Sequence, residues 1–140
     1  MTLSAASTQE EKNLHYKQAM LKYMDGISRW SADDVCALFA DDAVLEDPVG
    51  SGRIVEGKQD VRAFFERVVS RKLRMMPNGR SSASKGNCVA QPIRVEVSGS
   101  AVNAISVATF NDEGLIVSYR AYWGPGDIEG PDPTAGQPVK

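Results

Sequence analysis

The second half of the chain contains three runs in which apolar and polar residues alternate, over residues 88–97, 101–110 and 115–123. Alternation with a period of two is typical of strands that bury one face and expose the other. Short connections rich in turn residues, Ser98-Gly99-Ser100 and Asn111-Asp112-Glu113-Gly114, join the runs. Because such connections link antiparallel neighbours, the pattern predicts an antiparallel sheet whose apolar face needs a covering layer.

Helical patterns in the first half of the chain supply that layer. Thr8 and Glu11 fit a capping box at the start of a helix that we expect to run to about residue 27. A shorter helix capped by Ser31 is predicted to include Leu38 and Phe39, and a third helix follows Gly57 to about residue 72. A short strand over residues 43–47 is predicted between the second and third helices.

Helices followed by strands predict an α+β fold. We expect a strongly curved, mostly antiparallel sheet wrapped on three N-terminal helices, which leaves a conical apolar pocket for a small ligand. The domain is predicted to span residues 1–127. Residues 128–140 are rich in glycine and proline and are predicted to form a flexible tail.

Composition and charge argue against several classes of function. The net charge is -2 and no basic block is present, which argues against nucleic-acid binding. No apolar run approaches the ~20 residues of a membrane span, and the first ten residues lack a signal-peptide core, so a cytoplasmic location is expected.

The single histidine, His15, leaves no multi-histidine metal site and makes a Ser-His-Asp triad improbable. Acid–base chemistry would therefore come from carboxylates, tyrosines or lysines.

One carboxylate stands out in the segment Ala43-Val44-Leu45-Glu46-Asp47-Pro48-Val49-Gly50. A short apolar run carries Asp47 into a Pro/Gly turn. Burial among apolar neighbours would raise the pKa of Asp47 and make it a general base that works near neutral pH. The alternative is that Asp47 merely starts a turn, as aspartate often does.

Two hydroxyl groups are further candidates. Tyr23 lies on the apolar face of the first helix, either as a core tyrosine or as a hydrogen-bond donor aimed into the pocket. Ser106 shares a strand face with Val102, Ala104 and Ala108, whose small side chains leave room beside it. Ser106 is then either a polar residue that a half-buried strand tolerates or a hydrogen-bond donor to a ligand. On the last strand, Tyr119 and Trp123 share a face that is either core or a platform for a ligand.

These residues and their order carry a resemblance to a known family. The chain has Tyr23, the run Leu38-Phe39-Ala40-Asp41-Asp42-Ala43, then Glu46-Asp47-Pro48, Arg94-Val95-Glu96 and Ala121-Tyr122-Trp123. In this it resembles the bacterial ketosteroid isomerases (3-oxo-Δ5-steroid isomerases), within the superfamily of cone-shaped, SnoaL-like α+β domains.

The resemblance implies a steroid Δ5-to-Δ4 isomerase that uses no cofactor and no metal and acts on a small hydrophobic enone, as a homodimer. Asp47 matches the general base, which moves a proton from carbon 4 to carbon 6. Tyr23 matches the donor to the carbon-3 oxygen, with Ser106 as an auxiliary catalytic residue. The implied substrate-binding residues are Phe39, Phe65, Val102, Ala104, Ala108, Tyr119 and Trp123.

Two departures from the family pattern affect the oxyanion side of the site. Ser106 stands where the family has a protonated aspartic acid as second donor. Phe39 and Phe65 stand where well-studied members have tyrosines that support the catalytic tyrosine. The sequence therefore predicts that Tyr23 lacks a hydrogen-bond network behind it.

Two other functions remain open on the same fold. An epoxide hydrolase or polyketide/polyether cyclase would also use Asp47 as base or acid. Such chemistry usually requires a second acid on the opposite side of the pocket. A non-catalytic steroid or lipid carrier would fit the departures at Ser106, Phe39 and Phe65, but a carrier needs no general base.

Overall fold

The computed structural model describes residues 3–4 and 6–134, which form three α-helices, a short 3₁₀ helix (Pro125–Asp127) and one eight-stranded sheet. The helices are α1 (Gln9–Ser28), α2 (Ala32–Cys36) and α3 (Lys58–Ser70). The strands are β1 (Phe39–Glu46), β2 (Ile54–Glu56), β3 (Arg74–Pro77), β4 (Ser82–Ala83), β5 (Cys88–Val97), β6 (Ser100–Phe110), β7 (Ile116–Tyr122) and β8 (Ile128–Glu129).

The sheet runs in the order β2-β1-β7-β6-β5-β3, with β4 paired to β5 and β8 paired to β6. Strands β1 and β7 are parallel and every other pair is antiparallel. This curved sheet covered by three helices confirms the predicted α+β fold. None of the helices in the described ranges is both long enough and apolar enough to cross a bilayer.

Helix α1 begins as the capping box predicts. The Thr8 side chain accepts a hydrogen bond from the Glu11 amide, and the Glu11 carboxylate accepts one from the Thr8 amide. One face of the helix is buried against the sheet, where Tyr16 stacks on Phe110 with ring centroids 4.3 Å apart. Tyr23 lies two turns further along the same buried face.

The β5–β6 hairpin fixes which side chains face the helices. Its two turn residues, Ser98 and Gly99, both have positive φ, at 49° and 78°, and Val97 pairs with Ser100. From this register the even positions of β6 from Val102 to Phe110 are buried, whereas Ile105 is half exposed. Ser106 therefore lies on the inner face, as the alternation predicts.

The structure corrects several predicted boundaries. Helix α2 ends at Cys36, and Phe39 opens strand β1 instead of lying in the helix. Strand β1 is thus longer than the predicted segment 43–47, and Asp47 follows its last residue. Strands β2 and β4 are short additions that the sequence pattern does not reveal.

The chain after Trp123 packs on the sheet. Ile128 and Glu129 pair with β6, and Arg94 binds the Glu129 carboxylate at 2.7 Å. Further on, the Ser100 hydroxyl donates to the Pro131 carbonyl. Residues 128–134 are therefore part of the folded unit, which corrects the predicted start of the tail, and the predicted tail over residues 135–140 lies outside the described residues.

Candidate active site

A large cavity lies on the inner face of the sheet, with a volume of about 1130 Å³. Its wall is mainly apolar and comes from α1, α3, the strands and the segment after Trp123. Apolar side chains that line it include Val55, Phe64, Val68, Leu73, Met75, Ile93, Val95, Val97, Val102, Ala104 and Ala121. Burial of an apolar ligand here would contribute most of its binding energy.

Asp47 lines this cavity and accepts a hydrogen bond from the indole N–H of Trp123, with Nε1 and Oδ1 2.8 Å apart. Burial among apolar groups raises the pKa of Asp47 above its usual range, and the Trp123 hydrogen bond partly offsets this rise. A carboxylate held in this way is a stronger base than one in water.

The parallel pairing of β1 with β7 places Asp47 beside Trp123. Leu45 pairs with Tyr119, so Asp47, which follows β1, meets the end of β7. The amide of Val49 then donates to the carbonyl of Ala121 at 2.8 Å, which holds the loop after Asp47 against the same strand.

The neighbouring carboxylate, Glu46, takes no part in the cavity. It accepts hydrogen bonds from the Gly50 amide and from Arg120 instead. This agrees with the alternation of side chains along a strand, which turns Glu46 away from Asp47.

Three hydroxyl groups from three elements lie together on the cavity wall: Tyr23 of α1, Ser106 of β6 and Tyr119 of β7. The Tyr119 hydroxyl donates to Ser106 Oγ at 2.7 Å. The Tyr23 ring lies 4.8 Å from the Tyr119 ring, centroid to centroid, and the two phenols influence each other's pKa. We call these three residues the hydroxyl cluster.

Burial raises the pKa of both tyrosines in the hydroxyl cluster. For Tyr23 the interaction with the Tyr119 hydroxyl raises the pKa further, whereas for Tyr119 the bonds to Ser106 and Tyr23 lower it in part. Both phenols therefore stay protonated at neutral pH and can donate hydrogen bonds. A base and a group of neutral donors that share one apolar cavity suit proton transfer with stabilisation of a developing oxyanion.

The structure brings most of the predicted site residues together. Tyr23, Asp47 and Ser106 all line the cavity, as do four of the predicted substrate-binding residues: Val102, Ala104, Tyr119 and Trp123. In the described part of the chain, no group of three His, Cys, Asp or Glu side chains could hold a metal ion.

Three predicted substrate contacts are not on the cavity wall. Phe39 and Phe65 are buried in the core, where their rings contact Tyr23 at centroid distances of 6.3 and 5.9 Å. They therefore support the Tyr23 ring and do not face the cavity. Ala108 is fully buried and pairs with Val89 and Tyr119 within the sheet.

Two polar contacts escaped prediction from the sequence. The sequence predicts that Tyr23 lacks a supporting network. In the structure, the hydroxyl of Tyr119 on β7 interacts with Tyr23 and donates to Ser106. The alternation pattern, which places Ser106 and Tyr119 on the inner face of neighbouring strands, is the sequence feature that could have predicted this contact. For the Trp123 bond to Asp47 the sequence offers no such signal, because the parallel pairing of β1 with β7 joins distant segments.

Comparison with known proteins agrees with this fold. A family model described as a SnoaL-like domain matches residues 20–119. The chain belongs to the SnoaL-like family. The steroid Delta-isomerase of Nocardioides simplex is 30% identical to this SnoaL-like protein over 114 residues, which span 80% of this chain and 92% of that relative.

A solved structure is also similar to this SnoaL-like protein. It is the epoxide hydrolase/cyclase-like enzyme SalBIII, described in pyran ring formation in the polyether salinomycin. The two structures superimpose with a TM-score of 0.77 at 28% sequence identity, over 86% of this chain and 98% of the other. Both named relatives are described as enzymes, and the predicted family is confirmed.

Proposed function

We propose that this protein is a cofactor-independent isomerase that moves a carbon–carbon double bond into conjugation with a ketone, in a 3-oxo-Δ5-steroid or a similar hydrophobic enone. The observation that carries the proposal is the presence of Asp47 and the hydroxyl cluster on the wall of one apolar cavity. The 30% identity to a steroid Delta-isomerase supports it.

In the proposed reaction Asp47 takes a proton from carbon 4, and the electron pair moves onto the carbon-3 oxygen to give a dienolate. The protonated Asp47 then returns the proton to carbon 6, and the carbonyl re-forms as the double bond shifts. The raised pKa of Asp47 brings its basicity closer to that of the carbon acid.

The hydroxyl cluster would hold the carbon-3 oxygen. As negative charge develops on that oxygen, hydrogen bonds from neutral phenols strengthen, so they favour the transition state over the substrate. Tyr23 is the proposed main donor. The Tyr119 hydroxyl, which bonds to Ser106 and interacts with Tyr23, would take the place of the family's missing acid together with Ser106.

An epoxide hydrolase or cyclase is the second candidate, because SalBIII is a structural neighbour. Such chemistry needs an acid opposite the base. Besides Asp47, the carboxylate that lines the cavity in the described residues is Asp132. Asp132 is exposed, and hydrogen bonds from the Thr134 hydroxyl and amide lower its pKa, so it is ionised at neutral pH and suits this role poorly.

The assay that tests the proposal is the increase in conjugated-enone absorbance with 5-androstene-3,17-dione. We expect turnover by the wild type and a loss of about 10²–10⁴-fold in kcat for Asp47→Asn, because the amide cannot accept the proton. Asp42→Asn is the matched control, since Asp42 is an exposed carboxylate on the same strand β1, and it should leave the rate unchanged.

Absence of turnover by the wild type would contradict the isomerase. Equal rates for the wild type and Asp47→Asn would contradict the role of Asp47. Hydrolysis of an epoxide substrate that depends on Asp47, without isomerisation, would favour the second candidate. Tight binding of a phenolic steroid without turnover of either substrate would indicate a carrier.

A further inference from the structure

Three arginines line the same cavity as the hydroxyl cluster: Arg53 in the loop before β2, and Arg67 and Arg71 at the C-terminal end of α3. Arg67 is exposed and the other two are half-buried, so they lie on the open side of the cavity. We call them the rim arginines. They concentrate positive charge at the mouth of an apolar cavity in a protein whose net charge is -2.

Two of the rim arginines have unused binding capacity. Several other arginines of this protein are paired with carboxylates within 4.0 Å, namely Arg29, Arg62, Arg94 and Arg120. Within residues 3–4 and 6–134, by contrast, the guanidinium groups of Arg53 and Arg67 make no ion pair and no hydrogen bond. Arg71 donates to the Pro133 carbonyl and so anchors the segment that forms part of the rim.

The rim arginines do not tune the base. Burial and the Trp123 hydrogen bond account for the shifted pKa of Asp47, and no arginine is among its causes. A guanidinium close to a buried carboxylate would lower its pKa strongly. The side chains of the hydroxyl cluster are only 2–3% exposed, whereas Arg53 is half-buried and Arg67 is exposed. These arginines therefore lie nearer the mouth of the cavity than the hydroxyl cluster does.

The opposing charge on the rim is small. The one carboxylate that lines the cavity besides Asp47 in the described residues is Asp132, which the amide and the hydroxyl of Thr134 bind at Oδ1, whereas three guanidinium groups line it. The cavity volume of about 1130 Å³ also exceeds the range of about 300–1,000 Å³ that is usual for ligand sites. A ligand longer than a neutral ring system would fill it better.

We propose that Arg53 and Arg67 bind an oxyanionic substituent, a carboxylate or a sulfate ester, at the end of the substrate remote from the reacting ketone. The inference rests on the proposed function only in placing the ketone end at Asp47 and the hydroxyl cluster. Guanidinium groups bind such oxyanions through paired, charge-assisted hydrogen bonds. The preferred substrate is then a hydrophobic ring system with an acidic side chain.

The test uses binding, so that it does not depend on turnover. Three phenolic probes share the ring system and differ at the far end: estradiol, estradiol 17-hemisuccinate and estradiol 17-sulfate. Calorimetry should give the wild type an affinity about 10-fold higher for one or both anionic probes than for estradiol. The preference should weaken between about 50 and about 500 mM NaCl. The hemisuccinate and the sulfate distinguish a carboxylate from a sulfate ester as the natural group.

The variant Arg53→Gln/Arg67→Gln should lose this preference and keep the affinity for estradiol, which also shows that it is folded. Arg80→Gln is the matched control, because Arg80 is an exposed arginine that does not line the cavity, and it should behave as the wild type. Equal affinities of the wild type for the three probes would overturn the inference, as would a preference that survives in the double variant.

The inference and the proposed function can fail separately. A protein that isomerises 5-androstene-3,17-dione but shows no preference for anionic probes refutes the role of the rim arginines alone. A protein that prefers anionic probes through Arg53 and Arg67 but shows no isomerase activity refutes the proposed reaction alone.

Discussion

Among single residues, Asp47 is subject to two opposing influences on its pKa. Burial raises the pKa, and the indole N–H of Trp123 lowers it because it stabilises the ionised carboxylate. Burial strengthens Asp47 as a base, and the Trp123 hydrogen bond favours its ionised form. Trp123 thus acts through Asp47 as a positioning residue as well as lining the cavity.

Replacement of Trp123 by Phe should therefore shift the pH profile. Loss of the N–H removes the influence that lowers the pKa, so the pKa of Asp47 rises and a larger fraction is protonated at a given acidic pH. The acid limb of kcat/KM against pH should move to higher pH, with activity retained on the alkaline side. Trp30→Phe removes an indole N–H that donates to the Leu73 carbonyl and not to Asp47, and it should leave the profile unchanged. A limb that stays in place, or moves to lower pH, would contradict the role of Trp123.

Each phenol of the hydroxyl cluster should contribute to the rate of the proposed reaction. Tyr23→Phe should lower kcat by about 10²–10³-fold, as expected for the loss of an oxyanion donor, with a smaller change in KM. Tyr119→Phe should also lower kcat, because Ser106 loses a hydrogen-bond partner and Tyr23 loses a neighbouring hydroxyl with which it interacts.

Because the hydroxyls act as a connected unit, the double variant Tyr23→Phe/Tyr119→Phe should be little worse than the poorer single variant. Tyr16→Phe, at a buried tyrosine of the same helix that does not line the cavity, is the control and should keep its kcat. Strictly multiplicative effects of the two substitutions would show that the hydroxyls act independently.

At the scale of elements, local pattern predicts the β5–β6–β7 strands well, because their alternation and turns are encoded within each hairpin. It fails at Phe39, which follows Val35 at helical spacing yet lies in β1. There the pairing of β1 with β7 overrides the local preference, although Phe39 and its partner Ile116 are 77 residues apart in the sequence.

The difference between local pattern and non-local strand pairing also explains which features of the site the sequence could predict. Tyr23, Asp47 and Ser106 are each marked by their place on a helix face or strand, and all three line the cavity. The bond from Trp123 to Asp47 depends on a non-local parallel pairing, which no local periodicity reports. The side-chain contact between Tyr119 and Ser106 depends on the register between β6 and β7.

For the whole molecule, the face of the sheet opposite the cavity carries an apolar row across three strands, formed by Pro92, Ile105 and Tyr122 as cross-strand partners. Ile105 and Tyr122 are 49% and 42% exposed. Adjacent exposed apolar side chains on a sheet face favour association. We propose that a second copy of this chain covers the row, in agreement with the homodimer that the family resemblance implies.

Light scattering on a sizing column should then give the mass of a dimer for the wild type and of a monomer for Ile105→Glu, because the charge would be buried without a partner in the interface. Leu21→Glu is the control, since Leu21 is 51% exposed on α1, and it should remain dimeric. Ile105 faces away from its neighbour Ser106 on β6, so the monomeric variant should keep a cavity that binds phenolic steroids. A monomeric wild type would contradict the dimer, and a dimeric Ile105→Glu would exclude this row as its interface.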